Sequence, residues 1–80
     1  MTDELLQLLA EALEIDISTL QLDRKIAEFP EWESLAWLTI MSMVDERYNV
    51  RISAYEIGGF RTVREVVDCI CAKVAVETPR

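Results

Sequence analysis

Glu33-Ser34-Leu35 marks the point at which a long connecting segment meets the longest stretch of helical apolar periodicity in the chain. Pro30, just upstream, holds the residue before it in extended geometry and so delays the start of a helix. Ser34 is therefore expected at a helix N-terminus, where serine is commonly a cap. The positive end of a helix also favours a phosphate-bearing group on such a hydroxyl. Position alone leaves both interpretations open, a plain cap or an attachment point.

The segment after this junction predicts a helix over residues 34–48. Leu35 and Leu38 lie beside its main apolar stripe, so more than one narrow face is apolar. We expect these additional apolar side chains either to be covered by the preceding loop or to remain exposed as a surface for a partner. Trp37 is expected to pack in the core. The stripe itself has helical spacing and comprises Trp37, Ile40, Met41, Val44 and Tyr48.

Upstream, residues 3–13 predict an amphipathic first helix with Thr2 as its cap. Residues 14–33 then form a long connection with a short helical turn at 16–20. A connection of this length is uncommon in a small domain and is often functional. We expect it to be held in place by its own apolar residues, which are Ile15, Ile17, Leu20, Leu22, Ile26 and Phe29.

Two capping boxes predict the remaining helices. Ser53 and Glu56 begin a brief third helix, which Gly58-Gly59 is expected to end. Thr62 and Glu65 begin the fourth helix. Its predicted apolar stripe comprises Val63, Val66, Val67, Ile70 and Val74.

Composition agrees with one small helical domain over residues 1–80. The chain is 51% apolar and has only 2 glycines and 2 prolines, which favours helices and excludes intrinsic disorder. We therefore predict an all-α fold, a four-helix bundle with a long loop between the first and second helices and a short third helix.

The formal net charge of -7 argues against nucleic-acid binding, because phosphate contacts need a basic surface. The excess of acids falls in residues 1–33. It either attracts basic partners or serves solubility alone. The chain has no apolar run of the roughly 20 residues that a membrane span requires. Its start lacks the basic segment of a signal peptide, so we expect a cytoplasmic protein. We also expect the domain to be a monomer.

Catalytic chemistry has little support in this sequence. There is no histidine, so no Ser-His or Cys-His pair can form. Cys69 and Cys71 would lie about 200° apart on a helix, too far round to bond to each other. They do not complete a zinc site of the usual kind. We expect a protein that is not an enzyme.

The order of these signals resembles the acyl carrier protein family over residues 5–73. Residues 60–70 are similar to the last helix of that family, and residues 45–52 resemble the end of its second helix and the link that follows. The family marker, Asp-Ser-Leu, corresponds to Glu33-Ser34-Leu35. The resemblance implies the acyl-carrier type of four-helix bundle.

The resemblance also implies a function. Ser34 would carry 4'-phosphopantetheine, installed from coenzyme A by a phosphopantetheinyl transferase. Its thiol would hold an acyl or aminoacyl group as a thioester, passed from acyl-loading to acyl-accepting enzymes. The second helix and the loop before it would form the docking surface, which comprises Glu33, Leu35, Ala36, Leu38, Thr39, Asp45 and Glu46.

The chain departs from the family pattern around the serine. Glu33 replaces the aspartate, and Glu31-Trp32 stand where a glycine usually precedes it. Ala36 and Thr39 occupy positions that are often acidic in fatty-acid carriers. These departures indicate a carrier dedicated to one biosynthetic pathway and argue against the general fatty-acid carrier. The family resemblance implies a pathway of fatty-acid or polyketide type. The alternative is an unmodified protein-protein interaction module of the same fold, in which Ser34 is only a helix cap.

Overall fold

The computed structural model describes residues 1–77, which form four α-helices and two short 3-10 turns. No β-strand occurs in this part of the chain, where Lys25 and Thr62 form an isolated antiparallel bridge. The predicted all-α class is confirmed, and the second helix has the predicted limits. The helices are α1 (Thr2–Leu13), α2 (Ser34–Tyr48), α3 (Ala54–Gly59) and α4 (Val63–Glu77).

The core lies where the apolar faces of α1, α2 and α4 meet. Helix α1 packs against both of the other long helices. Fully burying a leucine or isoleucine side chain stabilises a domain by about 1.5–3 kcal/mol, so these faces supply most of the driving force for folding. The fully buried side chains of the three helices are Leu5, Leu8, Leu9, Ile40, Val44, Val63, Val66, Val67 and Ile70.

The connection between α1 and α2 is held by its own apolar residues, as expected. Leu20 and Phe29 are buried, and Trp32, which was not among the predicted residues, is buried as well. Ile17 was predicted to help but is 41% exposed. It begins the short turn Ile17–Thr19, and Leu20, which follows that turn, takes the buried place.

Backbone hydrogen bonds fasten this connection to the link between α3 and α4. The N–H of Ile26 donates to the carbonyl of Arg61 at 2.8 Å, and the N–H of Val63 donates to the carbonyl of Arg24 at 3.0 Å. Buried or shielded backbone groups are costly when unpaired, so these bonds favour one path for the connection. The fastened part of the connection extends to Phe29, five residues before α2 begins at Ser34.

Both predicted capping boxes are confirmed. In the first, the N–H of Glu56 donates to the Ser53 hydroxyl at 3.1 Å, and the N–H of Ser53 donates to the Glu56 carboxylate at 2.8 Å. In the second, the N–H of Glu65 donates to the Thr62 hydroxyl at 3.3 Å, and the N–H of Thr62 donates to the Glu65 carboxylate at 3.2 Å. Each box therefore satisfies one N–H of the first helical turn together with the N–H of the residue that caps the helix.

At two other helix ends the details differ from the prediction, although α3 does end at Gly59 as predicted. Thr2 is the first residue of α1, and Met1 takes the cap position without a side-chain hydrogen bond. Gly58 and Gly59 are the last residues of α3, and neither has a positive φ. Helix α3 ends because Phe60 adopts extended backbone as the chain turns toward α4. The glycines therefore do not act as left-handed helix stops.

Candidate functional site

Ser34 is exposed and is the first residue inside α2. The cap position belongs to Glu33, whose backbone is extended and whose side chain makes no capping hydrogen bond. The interpretation of Ser34 as the cap is therefore wrong by one residue. Within residues 1–77 the Ser34 hydroxyl has no hydrogen-bond partner, so it stands free at the surface.

The N-terminus of α2 also presents free backbone donors. Trp37 is the first residue of the helix whose N–H is bonded, to the carbonyl of Glu33 at 3.0 Å. The N–H groups of Ser34, Leu35 and Ala36 find no acceptor in the described part of the chain. Free N–H groups and the positive end of the helix dipole together make a suitable place for an anion.

Two nearby carboxylates oppose an anion at this place. Glu31 and Glu33 are both exposed, so solvent and salt screen their charge. The N–H groups of α2, in contrast, would donate directly to an oxygen held at Ser34. The residues present therefore fit a phosphodiester on the Ser34 hydroxyl.

Four aromatic side chains run from the connection past the start of α2 to the end of α3. We call Phe29, Trp32, Trp37 and Phe60 the aromatic row. The ring centroids of Trp32 lie 5.9 Å from Phe29 and 5.2 Å from Trp37. Trp37 stacks on Phe60 at 5.9 Å. Trp37 was predicted to pack in the core, but it is only half-buried and packs against the edge of the core.

Sequence reasoning missed this row because its members come from three separate segments. Phe29 and Trp32 were visible as large apolar residues just before Ser34, but nothing in the spacing paired either with Phe60. At the far end of the row, Phe60 also lines an open groove of about 720 Å³ on α3. Other residues of that groove are Tyr55, Gly58 and Gly59.

The face of α2 that begins at Ser34 is apolar over its first turns. Leu35 is 69% exposed and Leu38 is 60% exposed. Thr39 is exposed too, and its hydroxyl donates to the carbonyl of Leu35 at 3.2 Å. Ala36 is a correction to the predicted docking surface: it is only 8% exposed, because it lies on the same side of α2 as the core residue Ile40.

The acidic residues predicted for docking lie near the other end of α2. Asp45 lies about 16 Å from Ser34 along the axis of α2, since an α-helix rises 1.5 Å per residue. It is half-buried and lies 3.9 Å from the guanidinium of Arg51, whereas Glu46 is exposed. The structure thus brings Leu35 and Leu38 close to the serine and leaves the two acids at a distance.

The described residues offer no other site of the classes considered from the sequence. No group of three or more histidine, cysteine, aspartate or glutamate residues could hold a metal ion there. Cys69 and Cys71 form no disulfide and are half-buried. The Cys69 thiol donates to the Glu56 carboxylate at 3.8 Å, and burial raises its pKa. None of the helices within residues 1–77 has both the length and the hydropathy that a membrane span requires.

Comparison with known families assigns the chain. The sequence model of a family described as "phosphopantetheine attachment site" matches residues 3–70, a span from the start of α1 into α4. The chain belongs to this family. It is a carrier domain, and the acyl-carrier type of helical bundle predicted from the sequence is confirmed. No significant match to a curated protein was found.

Membership gives the free hydroxyl at α2 a chemical context. Domains of this family have a phosphopantetheine attachment site, so a phosphopantetheine-carrier role follows for the domain in general terms. Ser34 lies inside the matched span, with the uncapped N-terminus of α2 beside it. The residues around it fit the phosphate of that group, as shown above.

Proposed function

We propose that Ser34 carries 4'-phosphopantetheine and that this carrier domain delivers an acyl or aminoacyl group to enzymes of a dedicated biosynthetic pathway. The observation that supports it most is the Ser34 hydroxyl, exposed and unbonded at the first position of α2. A serine that served folding alone would be expected one residue earlier, bonded to the first turn as a cap.

The residues of the chain have separate roles in this proposal. The hydroxyl oxygen of Ser34 holds the arm, and the N–H groups of Leu35 and Ala36 donate to its phosphate. When bound, the group supplies a thiol that carries the acyl cargo as a thioester. The exposed side chains of Leu35 and Leu38 contact the partner enzymes, and the chain performs no reaction itself.

The docking face supports a dedicated set of partners. Its first two turns carry Leu35, Leu38 and Thr39, which have no charge. Partners that fit it must present an apolar surface near the attachment serine. A partner that recognises acids at those positions gains little here, since Asp45 and Glu46 lie further along α2 and Arg51 stands near Asp45.

The proposal extends to partners and compartment. A phosphopantetheinyl transferase installs the arm from coenzyme A, and acyl-loading and acyl-accepting enzymes use it in turn. Glu33, exposed next to the serine, contacts the transferase in place of the family aspartate. We propose that the domain acts as a monomer in the cytoplasm.

Intact mass spectrometry tests the attachment. The purified chain is incubated with coenzyme A, Mg²⁺ and a broad-specificity phosphopantetheinyl transferase, alongside Ser34→Ala and Ser42→Ala. Ser42 is a matched control because it is a second exposed serine of α2. Wild type and Ser42→Ala should gain the mass of one phosphopantetheine, and Ser34→Ala should gain none.

Circular dichroism separates loss of the site from loss of the fold. Because the Ser34 hydroxyl is exposed and makes no hydrogen bond, Ser34→Ala should change stability by no more than about 0.5 kcal/mol. A mass gain in Ser34→Ala would place the arm elsewhere. If wild type gained nothing, the unmodified interaction module would be the better account of this fold.

A further inference from the structure

The indole N–H of Trp32 is a buried donor without an acceptor. Trp32 is only 7% exposed, and among the side chains of residues 1–75 its Nε1 is the one fully buried nitrogen or oxygen that has no hydrogen-bond partner. Buried polar groups in native proteins are rarely left in this state. If the position needed only an apolar ring, phenylalanine would fill it without the cost of an unpaired N–H.

Trp32 lies close to the attachment serine along the chain. The two residues are separated by two peptide units, so their Cα atoms are at most about 7 Å apart. Trp37 approaches the same place from the helix, three residues after Ser34 on the same side of α2. Since helical side chains lean toward the N-terminus, the indole of Trp37 covers the turn that Ser34 begins.

We propose that the indole N–H of Trp32 donates a hydrogen bond to an amide carbonyl oxygen of the phosphopantetheine arm, which lies along the aromatic row toward α3. This inference rests on the proposed function. The chemistry matches, because the arm carries amide carbonyl groups beyond its phosphate and Trp32 lacks only an acceptor. The ring contacts continue from Trp32 through Trp37 to Phe60, and the half-buried rings of Trp37 and Phe60 leave apolar surface on which the rest of the arm can lie.

The proposal requires a small movement at the row. Nε1 has no exposed surface, so an acceptor reaches it only when the Trp32 indole or a ring beside it shifts. The flanking rings are those of Phe29 and Trp37, and Trp37 is the more exposed of the two. Attachment of the arm should therefore alter the surroundings of both tryptophans, and only Trp32 should gain a hydrogen bond.

Nuclear magnetic resonance of the two indole N–H groups tests this. The chain labelled with 15N gives one indole signal for each tryptophan, assigned with Trp32→Phe and Trp37→Phe. Spectra are recorded before and after conversion with coenzyme A, with intact mass confirming the arm in the same sample. The Trp32 indole proton should move downfield and exchange more slowly with solvent once the arm is present. The chain carrying Ser34→Ala, treated in the same way, should show no change.

The outcomes separate the two proposals. A mass gain with an unchanged Trp32 indole signal overturns the hydrogen bond and leaves the carrier role intact. A downfield shift at Trp37 alone also overturns it, and would show that the arm contacts the row without pairing with Trp32. Absence of a mass gain in wild type overturns the carrier role, and the inference falls with it.

Discussion

The same substitution at two leucines tests the division between core and docking face. Leu9 in α1 is 0% exposed, whereas Leu38 in α2 is 60% exposed. Leu9→Ala removes a buried side chain and leaves a cavity, which costs about 2–5 kcal/mol. Leu38→Ala removes a side chain that is mostly in water already, so its cost should stay within about 0.5 kcal/mol.

These magnitudes are large against the stability of so small a domain. At 0.05–0.15 kcal/mol per residue, 80 residues give a total of about 4–12 kcal/mol. For a domain of this size, a loss near 3 kcal/mol lowers the melting temperature by about 12–24 °C. Leu9→Ala should therefore melt far below wild type or be partly unfolded at room temperature, while Leu38→Ala melts close to wild type.

Thermal and urea denaturation followed by circular dichroism measure both variants. Both variants replace leucine with alanine, the best helix former, so helix propensity does not explain a difference between them. A loss of stability in Leu38→Ala as large as that in Leu9→Ala would refute the assignment of Leu38 to an exposed face. It would also remove Leu38 from the proposed partner surface.

Three further predictions concern helix ends. Gly58→Ala should raise the free energy of unfolding by about 0.5–1 kcal/mol, because Gly58 is helical without a positive φ and an added Cβ meets nothing within 4 Å; destabilisation in a urea melt would contradict this. The pKa of Glu56 is lowered by hydrogen bonding to the Ser53 backbone and by Lys73 at 3.0 Å. The ionised carboxylate of Glu56 therefore stabilises the fold fully above its unfolded-state pKa near 4.5, and this contribution is lost as the pH falls through its lower folded-state pKa. Melting temperatures from about pH 6 to about pH 3 should fall less in Glu56→Gln than in wild type, and equal falls would rule out this role. Glu33→Asp should stabilise α2 by about 0.5–2 kcal/mol, because the shorter carboxylate suits the cap position; an unchanged melting temperature would show that the N–H groups of α2 are not short of an acceptor.

The helices were predictable because each carries its own local signal. The capping boxes at Ser53 and Thr62 are formed within four residues of chain, and both were confirmed. The apolar stripe of α4 follows from helical spacing alone, and its members from Val63 to Ile70 are buried as expected. Such features depend on neighbours in the sequence, so composition and period are sufficient to find them.

The burial of the connection could not be predicted in the same way. Ile17 and Trp32 are both large apolar residues of that segment, but the first is exposed and the second is buried. The segment is fastened by hydrogen bonds to a distant link, such as that between Ile26 and Arg61, which are 35 positions apart in the sequence. The sequence carries no local record of that pairing, and the aromatic row escaped prediction for the same reason.

The most consequential difference between sequence and structure is a single residue at the start of α2. Both interpretations of Ser34 required a serine at a helix N-terminus, and sequence pattern alone places helix ends only to within about two to four residues. The backbone at Glu33 is extended, which makes Glu33 the cap and Ser34 the first helical residue, so the structure contradicts the cap interpretation and attachment at Ser34 stays a proposal. One step along a helix turns a side chain by about 100°, so the hydroxyl leaves the place from which it would bond the first turn. The free hydroxyl and the free N–H groups beside it are thus two results of one backbone choice, and both are what an enzyme that attaches a phosphate-bearing group to Ser34 would require.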